Sequence, residues 1–239
     1  DVLSGPGDDA AVLRVGGARQ VLTSDHLRAF PEGPARLARI AALHAMGDIW
    51  AMGARPQAAL ATVILPRMRP ALQRRTLEEI LDAASDTLRA AGAELAGGHS
   101  TMGGETTLGF TVTGLLDGDP VTLAGARPGD ALILTRPIGS GTLLAAEMRL
   151  KARGEDIATL LETMEAPQGV AAELLRGAHA MTDVTGFGLA GHLMAICTAS
   201  GVAAEIDPEA VPLYPGALRL AEAGVRSTIW AENRAHAPV

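Results

Sequence analysis

Residues 181–192 place one carboxylate in an apolar, glycine-rich stretch of the chain. Asp183 follows a short apolar run, and hydroxyl residues, glycines and an apolar helix-like stretch come after it. A carboxylate that is buried without compensation costs several kcal/mol, so this side chain needs a cation, a helix N-terminus or a ligand. Any fold that the chain adopts must therefore supply such a partner.

Asp48 presents the same problem inside a predicted helix. It lies in the nearly all-apolar stretch 41–52, directly before Ile49 and Trp50. A hydrogen bond from His44, four residues earlier, is the structural explanation. We favour a ligand role, because a carboxylate in such surroundings needs compensation.

Two further acidic positions lie at the ends of predicted strands. Asp8 and Asp9 follow the turn 5–7, whose glycines allow close backbone approach, and Asp25 ends the strand 20–24. Either position is compatible with a metal or nucleotide contact. A turn stabilised by an Asx hydrogen bond, or a simple cap, explains each of them equally well when it is taken alone.

Charge and composition narrow the classes of function. The net charge is −7 and no basic run is present, which argues against nucleic acid as a partner. No stretch approaches the roughly 20 apolar residues of a membrane span. Lys151 is the only lysine, which excludes a P-loop, and Cys197 is the only cysteine, which fits a core position in a reducing cytoplasm. The carboxylates described above are distributed over both halves of the chain. They are hard oxygen ligands, which suit Mg²⁺ ions that neutralise a nucleotide triphosphate.

Apolar periodicity predicts an α+β (mixed α/β) fold in two parts. The first part should contain a hairpin over 9–23, helices over 34–51 and 76–91, and strands over 57–65, 94–97 and 106–116. A loop at 97–104 should join the last two strands, and its backbone donors are suited to phosphate. Turn clusters near 117–130 predict a domain boundary, giving domains 1–122 and 123–239. The second should contain strands 131–135 and 202–206 and helices 142–151, 155–164, 167–179, 187–200 and 215–223.

Five motifs resemble the selenophosphate synthetase (selenide, water dikinase) family, collinearly across nearly the whole chain. They lie at residues 5–12, 23–25, 47–54, 96–100 and 181–189. The first three are shared with aminoimidazole ribonucleotide synthetase and thiamine-monophosphate kinase. The last two discriminate, because thiamine-monophosphate kinases typically carry Gly-Gly-Asp-Thr where this chain has Gly-Gly-His-Ser, and a different motif around Asp183.

This resemblance implies a fold and a reaction. It implies a two-domain aminoimidazole ribonucleotide synthetase-like fold, in which the N-terminal domain contributes strands to the β-barrel of a homodimer. It implies a cytoplasmic enzyme that converts ATP, selenide and water to selenophosphate, AMP and orthophosphate. Neither nucleic acid nor a membrane is expected as a partner.

The resemblance also implies roles for individual residues. Asp8, Asp48 and Asp183 look like Mg²⁺ ligands. The residues that look like ATP contacts are Gly5, Pro6, Gly7, Asp25, Asp48, Gly98, His99 and Ser100, the last three reaching nucleotide across the dimer interface.

Two parts of the family pattern have no counterpart in the printed sequence. One is the N-terminal loop with its cysteine or selenocysteine and its lysine, and the other is a C-terminal Asp-Pro-Gln-Thr-Ser-Gly-Gly segment. Cys197 and Lys151 occupy unrelated positions. We therefore expect this chain to be the Mg²⁺–ATP-binding body of the enzyme, without a catalytic residue of its own and unable to complete catalysis alone. The alternatives are another small-molecule kinase of the superfamily and a non-catalytic nucleotide-binding paralogue.

Overall fold

A computed structural model of the chain describes residues 1–4, 6–30 and 33–236. The chain divides into two compact units. The first combines Asp1–Val121 with Glu165–Gly177, and the second combines Thr122–Met164 with Ala178–Val239. Among the described residues, no helix has both the length and the apolar character that crossing a membrane would require.

The first unit is built on one five-stranded sheet. Its strands are β1 (Ala11–Val15), β2 (Ala18–Arg28), β3 (Arg55–Pro66), β4 (Glu94–Gly103) and β5 (Thr107–Leu116). They lie in the order β1-β2-β5-β3-β4, and every neighbouring pair is antiparallel except β3 and β4. A parallel pair needs a long crossover connection. Helix α2 (Pro70–Ala90) supplies it.

Helices cover one face of this sheet. Helix α1 (Pro34–Ala51) contacts β2, β5 and α2, and Ile49 and Met46 on it are fully buried. Along β3, Ala59, Ala61 and Val63 are buried, whereas alternate residues such as Leu60, 50% exposed, are open to solvent. Successive strand residues point to opposite faces, so this alternation shows that only one face of the sheet is packed.

Strand β4 corrects the predicted loop at 97–104. Residues 97–103 continue the strand and pair in parallel with β3 after a register shift between Ala59 and Leu60. The turn that leads to β5 lies at 104–106 instead. Glycine-rich sequence suggested a loop, but these glycines let β4 approach the β3 backbone closely. A Cβ on Gly98 would lie 2.1 Å from the Ala61 carbonyl oxygen.

The second unit is helical. Its helices are α3 (Ser140–Glu147), α4 (Gly154–Met164), α6 (Gly188–Ser200), α7 (Ala217–Glu222) and α8 (Trp230–His236), with a 3-10 turn at Pro208–Ala210. Helix α5 (Gly169–Leu174) belongs to the first unit and contacts α1. The helices predicted from periodicity are confirmed apart from shifts at their ends, and α8 was not predicted.

The two strands predicted for the second half are wrong. Residues 131–135 and 202–206 have no strand pairing, and Leu132 and Ile133 are 55% and 67% exposed. A strand needs a neighbour for its backbone hydrogen bonds, and β propensity does not provide one. Within residues 122–164 and 178–236, the only β pairing is one isolated bridge between Ile138 and Leu213.

An ion pair with a buried carboxylate joins α4 to α7 in the second unit. Asp156 on α4 is 7% exposed and accepts a hydrogen bond from Arg219 Nη2 on α7 at 3.0 Å. Leu143, Leu160 and Leu220 are buried in the same unit. Cys197, expected in a core, is half-buried on α6.

We expect Gly98→Ala to lower the free energy of unfolding by about 1–3 kcal/mol, because its methyl group would overlap the β3 backbone. Denaturant unfolding measures the effect. Gly104→Ala is the matched control, since a Cβ there meets nothing within 4 Å. Equal unfolding midpoints for the two variants would contradict the close approach of β4 to β3.

Candidate metal and nucleotide site

Two side-chain contacts join α1 to β2. Thr23 Oγ1 donates a hydrogen bond to Asp48 Oδ2 at 2.5 Å. His44 Nε2 lies 2.8 Å from Asp25 Oδ2. The His26 amide also donates to Asp25 Oδ1, at 2.9 Å. His44, considered from sequence as a partner of Asp48, is thus in ion-pair distance of Asp25.

The spacing of these residues explains why both contacts form together. Four residues along a helix rise about 6 Å. Two residues along a strand cover about 6.6 Å. The distance between His44 and Asp48 along α1 is therefore similar to the distance between Thr23 and Asp25 along β2. Because the two elements run in opposite directions, Asp48 faces Thr23 and His44 faces Asp25. Thr23 and Asp25 lie opposite the buried residues Val112 and Phe110 of β5, which places them on the packed face of the sheet.

The pKa values of the two carboxyls are shifted in opposite directions. It raises the pKa of Asp48 to about 6, against the opposing effect of the Thr23 hydrogen bond, and the nearby charge of Asp25 raises it further. Burial also acts to raise the pKa of Asp25, but the hydrogen bonds and charges of His44 and His26 together outweigh it, and the pKa is lowered. At neutral pH Asp48 therefore carries a charge that its surroundings disfavour.

A second carboxylate lies next to Asp48. Oxygens of Asp9 and Asp48 are within 4.8 Å of each other, and Oδ2 of Asp9 is buried. Asp8, the neighbour of Asp9, lines a cleft of about 320 Å³ together with Pro6 and Thr23. The sequence placed Asp8 and Asp9 in one turn and selected Asp8 as the ligand. Asp8 stays a prediction, and Asp9 is the additional carboxylate that the structure brings to Asp48.

This donor set fits a divalent hard cation. Mg²⁺ takes oxygen ligands and is usually held by one or two carboxylates, with the remaining positions filled by water and phosphate. Two carboxylates are available: Asp9 lies just before β1, and Asp48 lies on α1. A cation between them would also offset the charge on Asp48 that burial disfavours. The residues present therefore fit Mg²⁺, with Thr23 fixing one oxygen of Asp48.

The remaining predicted ATP contacts of the N-terminal turn lie beside this cleft. Pro6 lines the cleft. Gly7 has φ +137°, a conformation that side chains rarely adopt, and its surroundings are open. Gly5 lies outside the described residues. Close approach of a ligand to the backbone is therefore possible at Gly7.

Gly98, His99 and Ser100 lie elsewhere in the sheet. They belong to β4, and β5 and β3 separate that strand from β2. All three residues are exposed, and His99 is in register with the exposed Thr62. Within the first unit, the structure does not bring them to Asp25 or Asp48.

Asp183 belongs to the second unit. It lies before α6 in a turn with Thr182 and Thr185, and its side chain is half-buried. His192 of α6 contacts both threonines. The sequence identified Asp183 but gave no role to His192. The contact depends on how the turn folds back onto α6, which the local sequence pattern does not show.

Comparison with known families covers both halves of the chain. The sequence model of the AIR synthase related protein, N-terminal domain, matches residues 7–116. The corresponding C-terminal domain model matches residues 127–225.

Two similar curated relatives carry the same name. Selenide, water dikinase of Nitratidesulfovibrio vulgaris strain Miyazaki F is 39% identical over 235 residues, which cover 96% of this chain and 66% of the relative. That of Dechloromonas aromatica is 37% identical over 223 residues, covering 91% of this chain and 63% of the relative. The chain thus spans somewhat less than two thirds of the length of these relatives.

Solved structures share the fold. Thiamine-monophosphate kinase from Stenotrophomonas maltophilia has a TM-score of 0.74 at 26% identity, covering 99% of this chain and 76% of that one. Hydrogenase maturation protein HypE in complex with ATP has a TM-score of 0.74 at 21% identity, covering 94% and 70%. The predicted mixed α+β fold of the aminoimidazole ribonucleotide synthetase type is confirmed. The dimeric barrel stays a prediction.

We expect Asp48→Asn to raise the free energy of unfolding in metal-free buffer at pH 7 by roughly 1–2 kcal/mol. The amide removes the charge that burial disfavours and keeps an oxygen for the Thr23 hydrogen bond. Denaturant unfolding with a chelator present measures it, and Asp86→Asn, at a residue whose side chain is 80% exposed, is the control.

The pH dependence of this difference follows from the raised pKa. The folded protein keeps the Asp48 proton up to about pH 6, whereas the ordinary pKa of this carboxyl is 3.8. Stability from the protonated carboxyl is therefore present below pH 3.8 and is lost as the pH rises through about 6. The advantage of Asp48→Asn should grow over this interval. A difference that does not change with pH would contradict the assignment.

Proposed function

The chain belongs to the AIR synthase related family in both of its halves, and we propose that it is the Mg²⁺–ATP-binding part of a selenide, water dikinase. In this proposal the protein takes part in making selenophosphate, AMP and orthophosphate from ATP, selenide and water. The name of the relatives at 37–39% identity supports the substrate assignment.

The adjacent carboxylates of Asp9 and Asp48 are the observation that carries this proposal. They supply negative oxygens beside a cleft lined by Asp8, Pro6 and Thr23. A polyanionic triphosphate cannot approach such a surface of an acidic protein without a cation between them. Bound Mg²⁺ supplies that charge neutralisation for phosphoryl transfer.

The individual roles follow from the same chemistry. We propose Asp48 and Asp8 as Mg²⁺ ligands in the first unit, with Asp9 as an additional ligand, and Asp183 as a Mg²⁺ ligand in the second unit. Asp25, held by His44, and the turn Gly5-Pro6-Gly7 are proposed as ATP contacts. Residues 1–122 would form the ATP-binding and dimerisation domain and 123–239 the C-terminal domain. An ATP-consuming enzyme with a single cysteine suits the cytoplasm.

A homodimer is proposed from the position of β4. Gly98, His99 and Ser100 lie on β4, which β5 and β3 separate from β2. This edge strand is exposed along nearly its whole length. Long exposed edges and open sheet faces favour pairing with another chain. Sheets of two copies that join as a barrel would cover Leu60 and Met102, which are 50% and 56% exposed. In the dimer, His99 would reach the nucleotide of the partner copy.

Phosphorylation of a metabolite is the second candidate function, favoured by the likeness to a thiamine-monophosphate kinase at 26% identity. The two reactions leave different nucleotides. The selenide-dependent reaction leaves AMP and orthophosphate, and we expect the 239-residue chain to bind ATP and Mg²⁺ without completing it. ADP formation that depends on a metabolite acceptor would favour the kinase instead.

We expect Asp48→Ala and Asp183→Ala each to weaken Mg²⁺-dependent ATP binding by at least about tenfold, while the fold stays intact. Loss of a direct ligand should exceed the roughly 10–100-fold loss seen when only a residue that orients a ligand is removed. Isothermal titration calorimetry with and without Mg²⁺ measures affinity, and circular dichroism checks the fold. Asp86→Ala is the exposed control. Unchanged affinity in both variants would reduce these aspartates to structural residues.

We expect Leu60→Asp to shift the protein from dimer to monomer, because it would bury a charge in the proposed interface. Sedimentation velocity measures the shift. Leu72→Asp, at a residue 53% exposed on α2, should leave the dimer unchanged. A wild-type monomer at micromolar concentration, or a dimer that tolerates Leu60→Asp, would contradict the proposed interface.

A further inference from the structure

One histidine in the second unit lies between the two residues that flank the Asp183 turn. His192, on the second turn of α6, has its Nε2 atom 3.1 Å from the Thr185 backbone nitrogen and 3.3 Å from Thr185 Oγ1. Its Nδ1 atom is 3.4 Å from Thr182 Oγ1. The imidazole thus bridges residues 182 and 185, with Asp183 between them.

The direction of each hydrogen bond can be deduced from the groups involved. A backbone N–H only donates, so Nε2 of His192 must accept from Thr185 and carries no proton. A neutral imidazole then has its proton on Nδ1, which faces Thr182 Oγ1. The Thr182 hydroxyl donates in turn to the Asp183 carbonyl oxygen at 3.0 Å. All three bonds are compatible with one tautomer.

The surroundings of the ring keep it neutral and in place. Burial lowers the pKa of His192. The Phe187 ring contacts it in a tilted arrangement at a centroid distance of 5.8 Å. From α8, Asn233 Nδ2 donates to the Gly186 carbonyl at 2.7 Å and holds the end of the same turn. Hydrogen bonds therefore restrain the turn at residues 182, 183, 185 and 186.

We propose that His192 is a positioning residue, which as the Nδ1–H imidazole fixes the backbone on both sides of Asp183 and so orients its carboxylate for Mg²⁺. The role of His192 in Mg²⁺ binding rests on the proposed function, whereas its hydrogen-bond network is independent of that function. A carboxylate in a glycine-containing turn would otherwise have to be ordered when the cation binds, at a cost in affinity. Groups that orient a ligand in this way typically contribute about 10–100-fold to metal affinity.

The tautomer is the first test. Nitrogen-15 NMR of the histidine side chains should show His192 with a protonated Nδ1 and an unprotonated Nε2 at neutral pH. It should also show slow exchange of the Thr185 amide proton. An Nε2–H tautomer, or a Thr185 amide that exchanges as fast as an open turn, would overturn the proposal.

Substitutions separate positioning from packing. His192→Phe keeps the ring but removes both hydrogen bonds, so it should speed exchange of the Thr185 amide and weaken Mg²⁺-dependent ATP binding about 10–100-fold. His192→Gln keeps an oxygen that accepts from the Thr185 amide, and it should retain most of both properties. A His192→Phe variant that binds ATP and Mg²⁺ like wild type would overturn the proposal.

Arg219→Gln is the matched control, because it removes a hydrogen bond to the buried Asp156 in the same unit without touching the turn. It should lower stability and leave Thr185 exchange and ATP affinity unchanged. Equal losses of affinity in Arg219→Gln and His192→Phe would make His192 merely structural. If Asp183→Ala binds ATP normally while the tautomer and exchange results hold, the proposed Mg²⁺ role fails and the network stands.

Discussion

The charge of Asp48 is the constraint on which the first unit depends. A carboxylate on the packed side of α1 needs compensation, and the raised pKa of about 6 shows that Thr23 supplies only part of it. The contact to Thr23 and the neighbouring contact of His44 to Asp25 fix α1 on β2 in one register. An apolar residue at position 48 would satisfy the fold at lower cost, which supports the proposed ligand role of this carboxylate.

The two faces of the sheet differ in what they contact. Thr23 and Asp25 lie on the face that α1 covers, where burial raises the pKa of Asp48. Leu60 lies on the open face, where an apolar side chain favours contact with another chain. Because side chains alternate along a strand, neighbouring residues of one strand can serve both purposes. The proposed ligand binding and the proposed dimerisation would thus use the same strands but different residues of them.

Local pattern predicted the parts of the structure that depend on local chemistry. Helix α1 and the need of Asp48 for a partner both follow from the apolar run around it. The prediction of a strand at 131–135 was wrong, because a strand needs a neighbouring strand to pair with and periodicity does not reveal one. Residues 97–103 form a strand because Gly98 meets the backbone of β3, a contact distant in sequence. The choice between Asp8 and Asp9 likewise depends on which of two adjacent side chains points toward α1, since neighbours in an extended chain diverge.

Asp48 and Asp183, two of the proposed Mg²⁺ ligands, are held in two different ways. Asp48 belongs to an 18-residue helix whose packing already fixes its backbone, so one hydrogen bond from Thr23 suffices to orient the side chain. Asp183 lies in a turn, where the backbone itself must be fixed. The ties from His192 and Asn233 provide that restraint through groups that contact the backbone or its flanking threonines. A carboxylate on a regular element therefore needs support at its side chain, whereas one in a turn needs support at the residues around it.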